Sequence, residues 1–132
     1  MGRVRAVYEQ RDGGIELVLH EKALNLHKDL CDLIDNYPWQ SEMELFEEHG
    51  VGGGFQFTLG DEDVYARYDF TPIDMDSVEL DFYLVLKSGF LGFIGRKSLI
   101  KQYGIISVSE AKEKMKDLFD RPIESLYEKH KK

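Results

Sequence analysis

Along most of the chain, apolar and polar residues alternate with the period of two that is typical of β-strands, and in several stretches the period changes to that of a helix. The first alternating stretch predicts a hairpin with Asp12 and Gly13 as a two-residue turn. Its apolar positions are Val4, Ala6, Tyr8, Ile15, Leu17 and Leu19. With that turn, we expect Tyr8 to lie opposite Leu17 and Ala6 opposite Leu19.

Helical spacing appears first after this hairpin. An amphipathic helix is predicted over residues 24–36, because apolar residues recur every three or four positions and Pro38 ends the run. Those residues are Leu26, Leu30, Leu33, Ile34 and Tyr37. Ser41 and Glu44 have the spacing of a capping box, which predicts a short helix over residues 42–48.

The last third of the chain is also predicted to be helical. Ser107 and Glu110 form a second capping box, followed by a single apolar stripe. The stripe consists of Val108, Ala111, Met115, Leu118 and Phe119. Pro122 then begins a shorter helix with Ile123, Leu126 and Tyr127 on one side. We expect its end, residues 129–132, to fray.

Between these helical regions the pattern predicts a meander of four antiparallel strands. Apolar residues alternate over residues 55–59, 64–70, 78–86 and 91–93. The connections are residues 60–63, residues 71–77 and a two-residue turn of Ser88 and Gly89. The predicted fold is therefore a single α+β domain over residues 1–132, with an antiparallel sheet formed by the hairpin and the meander and with helices on one face.

The second and third meander strands place polar side chains on the face away from the core. Pairing Val64 with Leu84 and Phe70 with Val78 makes the core side consistently apolar. The opposite face then carries Tyr65, Arg67, Asp69, Glu79, Asp81 and Tyr83, with Arg67 across from Asp81 and Tyr65 across from Tyr83. Such a face is either simply exposed to water or, since Tyr and Arg anchor many interfaces, a surface that binds a partner.

Composition narrows the class of protein. The chain has 132 residues, of which 42% are apolar and 32% charged, and only one cysteine, Cys31, so no disulfide forms within it. The first ten residues lack the apolar core of a secretory signal, and the longest apolar run is too short to span a membrane. We therefore expect a cytoplasmic protein without membrane association, as a monomer or dimer.

Charge is distributed unevenly along the chain. Residues 29–81 contain fifteen acidic residues and one basic residue, Arg67, whereas residues 82–132 contain eleven Lys or Arg and six acidic residues. So acidic a block repels nucleic acid and attracts a basic partner. Asp61, Glu62 and Asp63, in a predicted turn within this block, are added to the candidate contact residues. The alternative is an acidic surface that serves only solubility.

One glycine-rich segment is a candidate for a phosphate-binding loop. The segment HGVGGGF contains Gly50, Gly52, Gly53 and Gly54, but it follows a helix and precedes a strand, the reverse of a phosphate-binding loop. We expect Gly50 to end the helix and the other glycines to form a mobile joint. The alternative is a small enzyme or ligand-binding domain with a site where this loop, Trp39 and the first helix meet.

Residues able to bind a metal or to catalyse a reaction are few. His27 and Cys31 lie one helical turn apart but lack further ligands, and acidic residues at 61–63 and 74–76 lack the pattern of a calcium loop. We therefore predict a packed helix face and solvated turns, with no metal and no cofactor. His20, His27 and His49 remain as catalytic candidates, without any recognisable catalytic signature.

In size, acidity and lack of a catalytic signature, the chain resembles the immunity proteins with which bacteria neutralise secreted or contact-delivered toxins. The resemblance covers no motif, so no site residue is transferred from that family. It implies that the chain is not an enzyme and that it blocks a cognate toxin, such as a basic nuclease, by tight binding steered by charge. A subunit of a larger assembly is a third possibility.

Overall fold

The computed structural model of the protein describes residues 3–11, 16–50, 52–87 and 97–131. These residues form six strands and five helices. The strands are β1 (Val4–Arg11), β2 (Leu17–Leu24), β3 (Phe55–Gly60), β4 (Tyr65–Pro72), β5 (Ser77–Leu86) and β6 (Lys97–Ser107). The helices are α1 (His27–Asp35), α2 (Trp39–His49), α3 (Val108–Met115), α4 (Asp117–Asp120) and α5 (Ile123–His130).

All six strands belong to one antiparallel sheet in the order β2-β1-β3-β4-β5-β6. The predicted α+β class is therefore confirmed, with the hairpin joined to the meander through the pairing of β1 with β3. One hydrophobic core lies between the helices and one face of this sheet. Residues 129 and 130, which were expected to fray, belong to α5.

Alternation along the strands determines which side chains enter the core. Every second residue of β3, β4 and β5 is buried, because successive side chains of a strand point to opposite faces. The helices add the apolar stripes that their spacing predicts, since residues three or four positions apart share one helix face. The fully buried members of these stripes are Leu30, Ile34, Ala111, Met115, Leu118 and Leu126.

The register of the N-terminal hairpin differs from the prediction. Tyr8 pairs with His20, and Arg11 pairs with Leu17. Five residues therefore separate the paired ends of the strands, so the expected two-residue turn is wrong, although residues 12–15 themselves lie outside the described residues. The change moves Leu19 opposite Glu9, where its side chain is 69% exposed. Leu24 is buried instead, opposite Val4.

The register of β4 and β5 is shifted by two residues from the predicted one. Arg67 lies opposite Tyr83, Asp69 opposite Asp81, and Tyr65 opposite Val85. The predicted pairs of Arg67 with Asp81 and of Tyr65 with Tyr83 are therefore wrong. A shift by an even number keeps every side chain on its predicted face, so the assignment of faces holds.

The strand that pairs with β5 lies further along the chain than predicted. It is β6, and Leu86 pairs with Lys97, so ten residues separate the two paired ends. The expected strand at residues 91–93 and the turn of Ser88 and Gly89 lie outside the described residues. Ser107, at the end of β6, caps α3 as predicted, because its hydroxyl accepts a hydrogen bond from the Glu110 N–H at 3.1 Å.

Helix α2 begins earlier than the capping box predicted. Its first residue is Trp39 and its N-cap is Pro38, so Ser41 lies inside the first turn, where its hydroxyl donates to the Pro38 carbonyl. Glu42, one position further along, is only 1% exposed. A buried carboxylate needs a partner, and here the partner is the side chain of Arg11.

Candidate functional site

The sheet face opposite the helices, called here the open face, carries polar side chains of β1, β3, β4 and β5. On β1 it presents Arg5 and Glu9, which are exposed, and on β3 it presents Gln56, which is also exposed. Across these strands the open face continues into the polar positions of β4 and β5. All six open-face residues predicted from the sequence lie on it: Tyr65, Arg67, Asp69, Glu79, Asp81 and Tyr83.

Arg67 organises the centre of the open face. Its guanidinium donates two hydrogen bonds to the Asp69 carboxylate, from Nε to Oδ1 at 2.8 Å and from Nη2 to Oδ2 at 3.4 Å. The two side chains are 27% and 25% exposed, so the ion pair is only partly screened by water. Since Arg67 and Asp69 are alternate residues of one strand, their side chains point to the same face and contact each other.

Two tyrosine rings flank this ion pair. The guanidinium carbon of Arg67 lies 4.7 Å from the centre of the Tyr83 ring and 5.9 Å from the centre of the Tyr65 ring. Both distances allow attraction between the cation and the ring face. Arg67 is therefore held from two directions, and its flat side chain and the tyrosines form a partly exposed aromatic surface.

Asp69 and Asp81 face each other across β4 and β5. Burial raises the pKa of Asp69, and the charge of Asp81 raises it further, while Arg67 opposes both effects. The pKa of Tyr83 is also raised, by desolvation first and then by Asp81 and Asp69. The part of each pKa shift that comes from a neighbouring carboxylate is one that an added cation would oppose.

A cavity of about 240 Å³ opens on the same face beside Asp69. Its carboxylates come from two strands, Glu9 on β1 and Asp69 on β4, and Gln56 and Thr71 add further polar groups. Leu19 forms an apolar wall, because the observed register of the hairpin brings it opposite Glu9. Sequence reasoning missed Glu9 and Leu19, since the predicted hairpin register placed Leu19 opposite Ala6, and the pairing of β1 with β3 was not predicted.

The acidic turn at residues 61–63 is held by hydrogen bonds within the turn itself. Oδ1 of Asp61 accepts hydrogen bonds from the N–H groups of Asp63 and Val64 at 2.8 and 2.9 Å, and these bonds lower the pKa of Asp61. All three acidic residues are exposed, as expected of a solvated turn. Asp61 also lines a second cavity, of about 430 Å³, which contains Arg3 and Lys87. The acidic turn therefore shares this cavity with two basic side chains.

The acidic block of the sequence does not form one surface. Its first part is in α1 and α2, on the helix side, and its last part is on the open face. Several members are bound within the protein: Asp29 accepts from the N–H groups at the start of α1, Asp35 pairs with Lys112, and Glu42 pairs with Arg11. The charge available to a partner is therefore smaller than the sequence total.

The glycine-rich segment is packed against β1. Gly50 ends α2 with φ of +72°, as predicted, and its N–H donates to the Phe46 carbonyl at 2.7 Å. Gly53 is buried, and a Cβ there would lie 2.1 Å from the carbonyl oxygen of Glu9. The expected mobile joint is thus a close contact of two backbones at Gly53. Residue 51 lies outside the described residues.

Trp39, which was predicted to border a ligand site, belongs to an aromatic cluster. Its indole N–H donates to the Ile34 carbonyl at 2.9 Å, and its ring packs edge-on against Tyr37 and Phe70. The place where the glycine segment, Trp39 and α1 meet is thus filled by side chains. This packing does not favour the small-molecule alternative at that position.

His27 and Cys31 lie together on α1 as a packed helix face, as predicted. Nε2 of His27 lies 2.7 Å from the Lys112 carbonyl oxygen and therefore donates to it, and Sγ of Cys31 is 3.6 Å from the same nitrogen. Burial raises the pKa of the Cys31 thiol. Among the described residues, no three His, Cys, Asp or Glu side chains are grouped to hold a metal ion. His20 and His49 are on other elements, β2 and the end of α2.

No protein-family model, no curated protein and no solved structure matches this chain. Within the described part of the chain, none of the helices has both the length and the apolar composition required for crossing a membrane.

Proposed function

We propose that this protein is a binding module that captures a basic protein partner on the open face of its sheet. The observation that carries this proposal is the cavity between Glu9 and Asp69, beside the partly exposed group formed by Arg67, Tyr83 and Asp81. Two carboxylates on neighbouring parts of one concave surface are suited to receive a Lys or Arg side chain of a partner. Leu19 would cover the aliphatic part of that side chain.

Energetics also favour a cationic occupant. The pKa of Asp69 is raised, which means that its charged form lacks full compensation in the free protein. A cation placed beside Asp69 and Asp81 would supply that compensation. Arg67 and the tyrosines would contribute flat, rigid contact area of the kind that dominates the binding energy of interfaces.

The partner class follows from the same features. A toxin domain with a basic surface, such as a nuclease, would be attracted by the charge of the open face and then blocked by tight binding, as in toxin-neutralising immunity proteins. In this proposal the protein is not an enzyme, acts in the cytoplasm and needs neither cofactor nor nucleic acid.

The test compares two variants with equal change in charge. The product of the neighbouring reading frame is purified, and its association rate with the protein is measured at low and at high salt. Glu79→Lys with Asp81→Lys changes the open face, whereas Glu44→Lys with Glu47→Lys changes exposed positions of α2.

We expect the open-face variant to slow association about tenfold or more at low salt and the α2 variant to have a much smaller effect. High salt should remove most of the difference, because screening shortens the range of charge attraction. Equal effects of the two variants, an association rate that does not depend on salt, or the absence of any stoichiometric basic partner would each contradict the proposal.

A further inference from the structure

A cavity of about 200 Å³ on the helix side of the sheet carries the opposite charge to the open face. It lies where β6 meets α3, α4 and α5, at the end of the chain that the sequence shows to be basic. Three lysines, two tyrosines and a histidine line it: Lys101, Lys114, Lys129, Tyr68, Tyr103 and His130. None of these residues belongs to the proposed partner surface.

Two of the ammonium groups converge on one aromatic ring. Nζ of Lys114 lies 4.5 Å from the centre of the Tyr103 ring, and Nζ of Lys101 lies 5.6 Å from it. Lys114 also has Glu110 at 3.8 Å, whereas Lys101 forms no ion pair with a described carboxylate. Two like charges held near one ring repel each other, so a bound anion would remove a cost that the free protein bears.

The acidic residue of this cavity is already engaged. Asp117 pairs with Lys129 through one carboxylate oxygen, and its other oxygen lies 3.6 Å from Nε of Arg121. This double pairing neutralises Asp117 and leaves Lys101 and Lys114 as the charges that face the cavity. The net charge of the cavity lining is therefore positive.

Hydroxyl and imidazole groups add directed polar contacts. Nδ1 of His130 lies 3.0 Å from the Leu126 carbonyl oxygen, and because a carbonyl can only accept, Nδ1 carries the proton. Nε2 of the neutral ring is then an acceptor, and the Tyr103 hydroxyl donates to it at 3.4 Å. The His130 ring is held against Phe82, with the ring centres 4.6 Å apart.

The pKa of His130 is lowered, first by burial and then by the charges of Lys129 and Lys101, whereas the hydrogen bond to Leu126 and the charge of Asp117 raise it. The Tyr68 hydroxyl, which donates to the Lys114 carbonyl at 3.3 Å, is buried at the base of the same cavity. These groups are fixed by the fold before any ligand arrives, which lowers the entropic cost of binding.

We propose that this cavity binds a phosphate group, either as inorganic phosphate or as a small phosphate monoester. Lys101 and Lys114 supply the charge, and the Tyr103 hydroxyl, turned from His130 to the ligand, donates a hydrogen bond. Lysine ammonium groups are common phosphate ligands. The cavity volume of about 200 Å³ is several times the roughly 30 Å³ that one water occupies, so it admits a phosphate with a few waters. The proposal does not depend on the function of the open face.

The test follows backbone and imidazole NMR signals while inorganic phosphate is added at constant ionic strength, with chloride as the balancing anion. A parallel titration with phenyl phosphate distinguishes a free ion from a monoester. Lys101→Gln removes an exposed charge of the cavity, and Tyr103→Phe keeps the ring but removes the hydroxyl. Lys28→Gln is the matched control, because it removes one charge from an exposed site on α1.

We expect saturable shifts centred on Lys101, Tyr103, Lys114 and His130. Lys101→Gln should weaken binding about tenfold or more, Tyr103→Phe severalfold, and Lys28→Gln hardly at all. Shifts that rise linearly without saturation, that centre elsewhere, or that respond equally to Lys101→Gln and Lys28→Gln would overturn the proposal. Tighter binding of phenyl phosphate than of phosphate would identify a monoester as the ligand, and the reverse order would identify the free ion.

Discussion

The side chains of Arg11 and Glu42 form a buried ion pair that joins the end of β1 to α2. Nη1 of Arg11 lies 2.5 Å from Oε1 of Glu42, and the two side chains are only 3% and 2% exposed. The backbone N–H of Arg11 donates to the other carboxylate oxygen at 2.8 Å. The pair thus joins α2 to the part of β1 that follows Tyr8, the last residue of β1 in the register with β3.

Loss of one member of this pair should be costly. We expect Glu42→Ala to lower the free energy of unfolding by about 3–5 kcal/mol, because it removes the carboxylate that accepts hydrogen bonds from the Arg11 guanidinium and backbone N–H in a buried ion pair. Urea unfolding monitored by circular dichroism measures this change. Glu47→Ala, at an exposed position of the same helix, is the control and should change stability by less than about 0.5 kcal/mol.

A double variant distinguishes a charge effect from a packing effect. Arg11→Met combined with Glu42→Leu removes both charges and keeps much of the buried volume, so it should be more stable than Glu42→Ala. If the double variant loses at least as much stability as Glu42→Ala, the cost arises from packing or from the hydrogen bond to the Arg11 N–H instead.

Three of the four glycines of the α2–β3 connection, Gly50, Gly53 and Gly54, should respond differently to alanine. Gly53→Ala should destabilise most, by several kcal/mol or with loss of the Glu9–Gly54 backbone hydrogen bond, because its Cβ would overlap the Glu9 carbonyl. Gly50→Ala should cost about 1–2 kcal/mol, since the positive φ is strained although the surrounding space is open. Thermal unfolding of both variants provides the measurement.

Gly54→Ala serves as the reference for this series. Its Cβ would meet the Phe70 carbonyl oxygen at 3.5 Å, an ordinary contact, and its φ is not in the positive range. We expect a change of less than about 1 kcal/mol, of either sign. If Gly53→Ala proved as mild as Gly54→Ala, the segment would be a loose joint, as the sequence alone suggested.

How far the sequence predicts this fold depends on which property of a strand is considered. The alternation of apolar and polar residues determines on which face of the sheet each side chain lies. Arg67, Asp69 and Tyr83 were therefore correctly placed on the open face. Alternation does not determine register, because any even shift preserves the faces. The two-residue shift between β4 and β5 depends on the turn before Ser77, where Asp74 accepts hydrogen bonds from the N–H groups of Asp76 and Ser77.

Edge strands and buried charges were harder to predict. β2 and β6 lie at the two edges of the sheet, and most of their side chains are exposed or half-buried, so their apolar pattern carries little information on faces. The burial of Glu42 was not predicted, because a charged residue is rarely buried and its partner Arg11 is distant in sequence. The cavity beside Glu9 was not predicted, because Leu19 of the edge strand β2 was expected opposite Ala6 and not opposite Glu9.

Acid should weaken the fold through carboxylates that accept backbone hydrogen bonds. The pKa of Asp61 lies below its usual 3.8 in the folded state, so its stabilising contribution is complete above that value and is lost as the pH falls through the folded pKa. Asp61→Asn keeps an acceptor oxygen but does not titrate. The free energy of unfolding of this variant, measured with urea, should therefore fall less than that of the wild type as the pH is lowered from 5 through the folded pKa of Asp61.

Glu62→Gln is the matched control for this acid series. It changes the net charge by the same amount in the same turn, while the turn hydrogen bonds are made by Asp61. If Asp61→Asn and Glu62→Gln had identical pH dependence, general charge repulsion rather than the turn hydrogen bonds would explain the acid sensitivity.

Arg67 should stabilise the open face mainly at neutral pH. Without it, Asp69 would lose the cation that it binds and would still face Asp81, so Arg67→Ala should cost about 1 kcal/mol at pH 7. The pKa of Asp69 is already raised by burial, and removal of Arg67 would raise it further. A raised carboxyl pKa disfavours folding above that pKa and not below the unfolded value, so the deficit should shrink as the pH falls through the folded pKa of Asp69.

Two further variants make this prediction specific. Arg67→Lys keeps the charge but loses the paired hydrogen bonds to Asp69 and the flat contact with Tyr83, so it should lie between wild type and Arg67→Ala. Arg5→Ala removes an exposed arginine of the same face, which lies 3.9 Å from Glu21, and should have little effect at any pH. Urea unfolding at pH 4 and pH 7 measures all three. If Arg67→Ala loses the same free energy of unfolding at both pH values, the loss arises from packing against the tyrosines and not from the pair of Asp69 and Asp81.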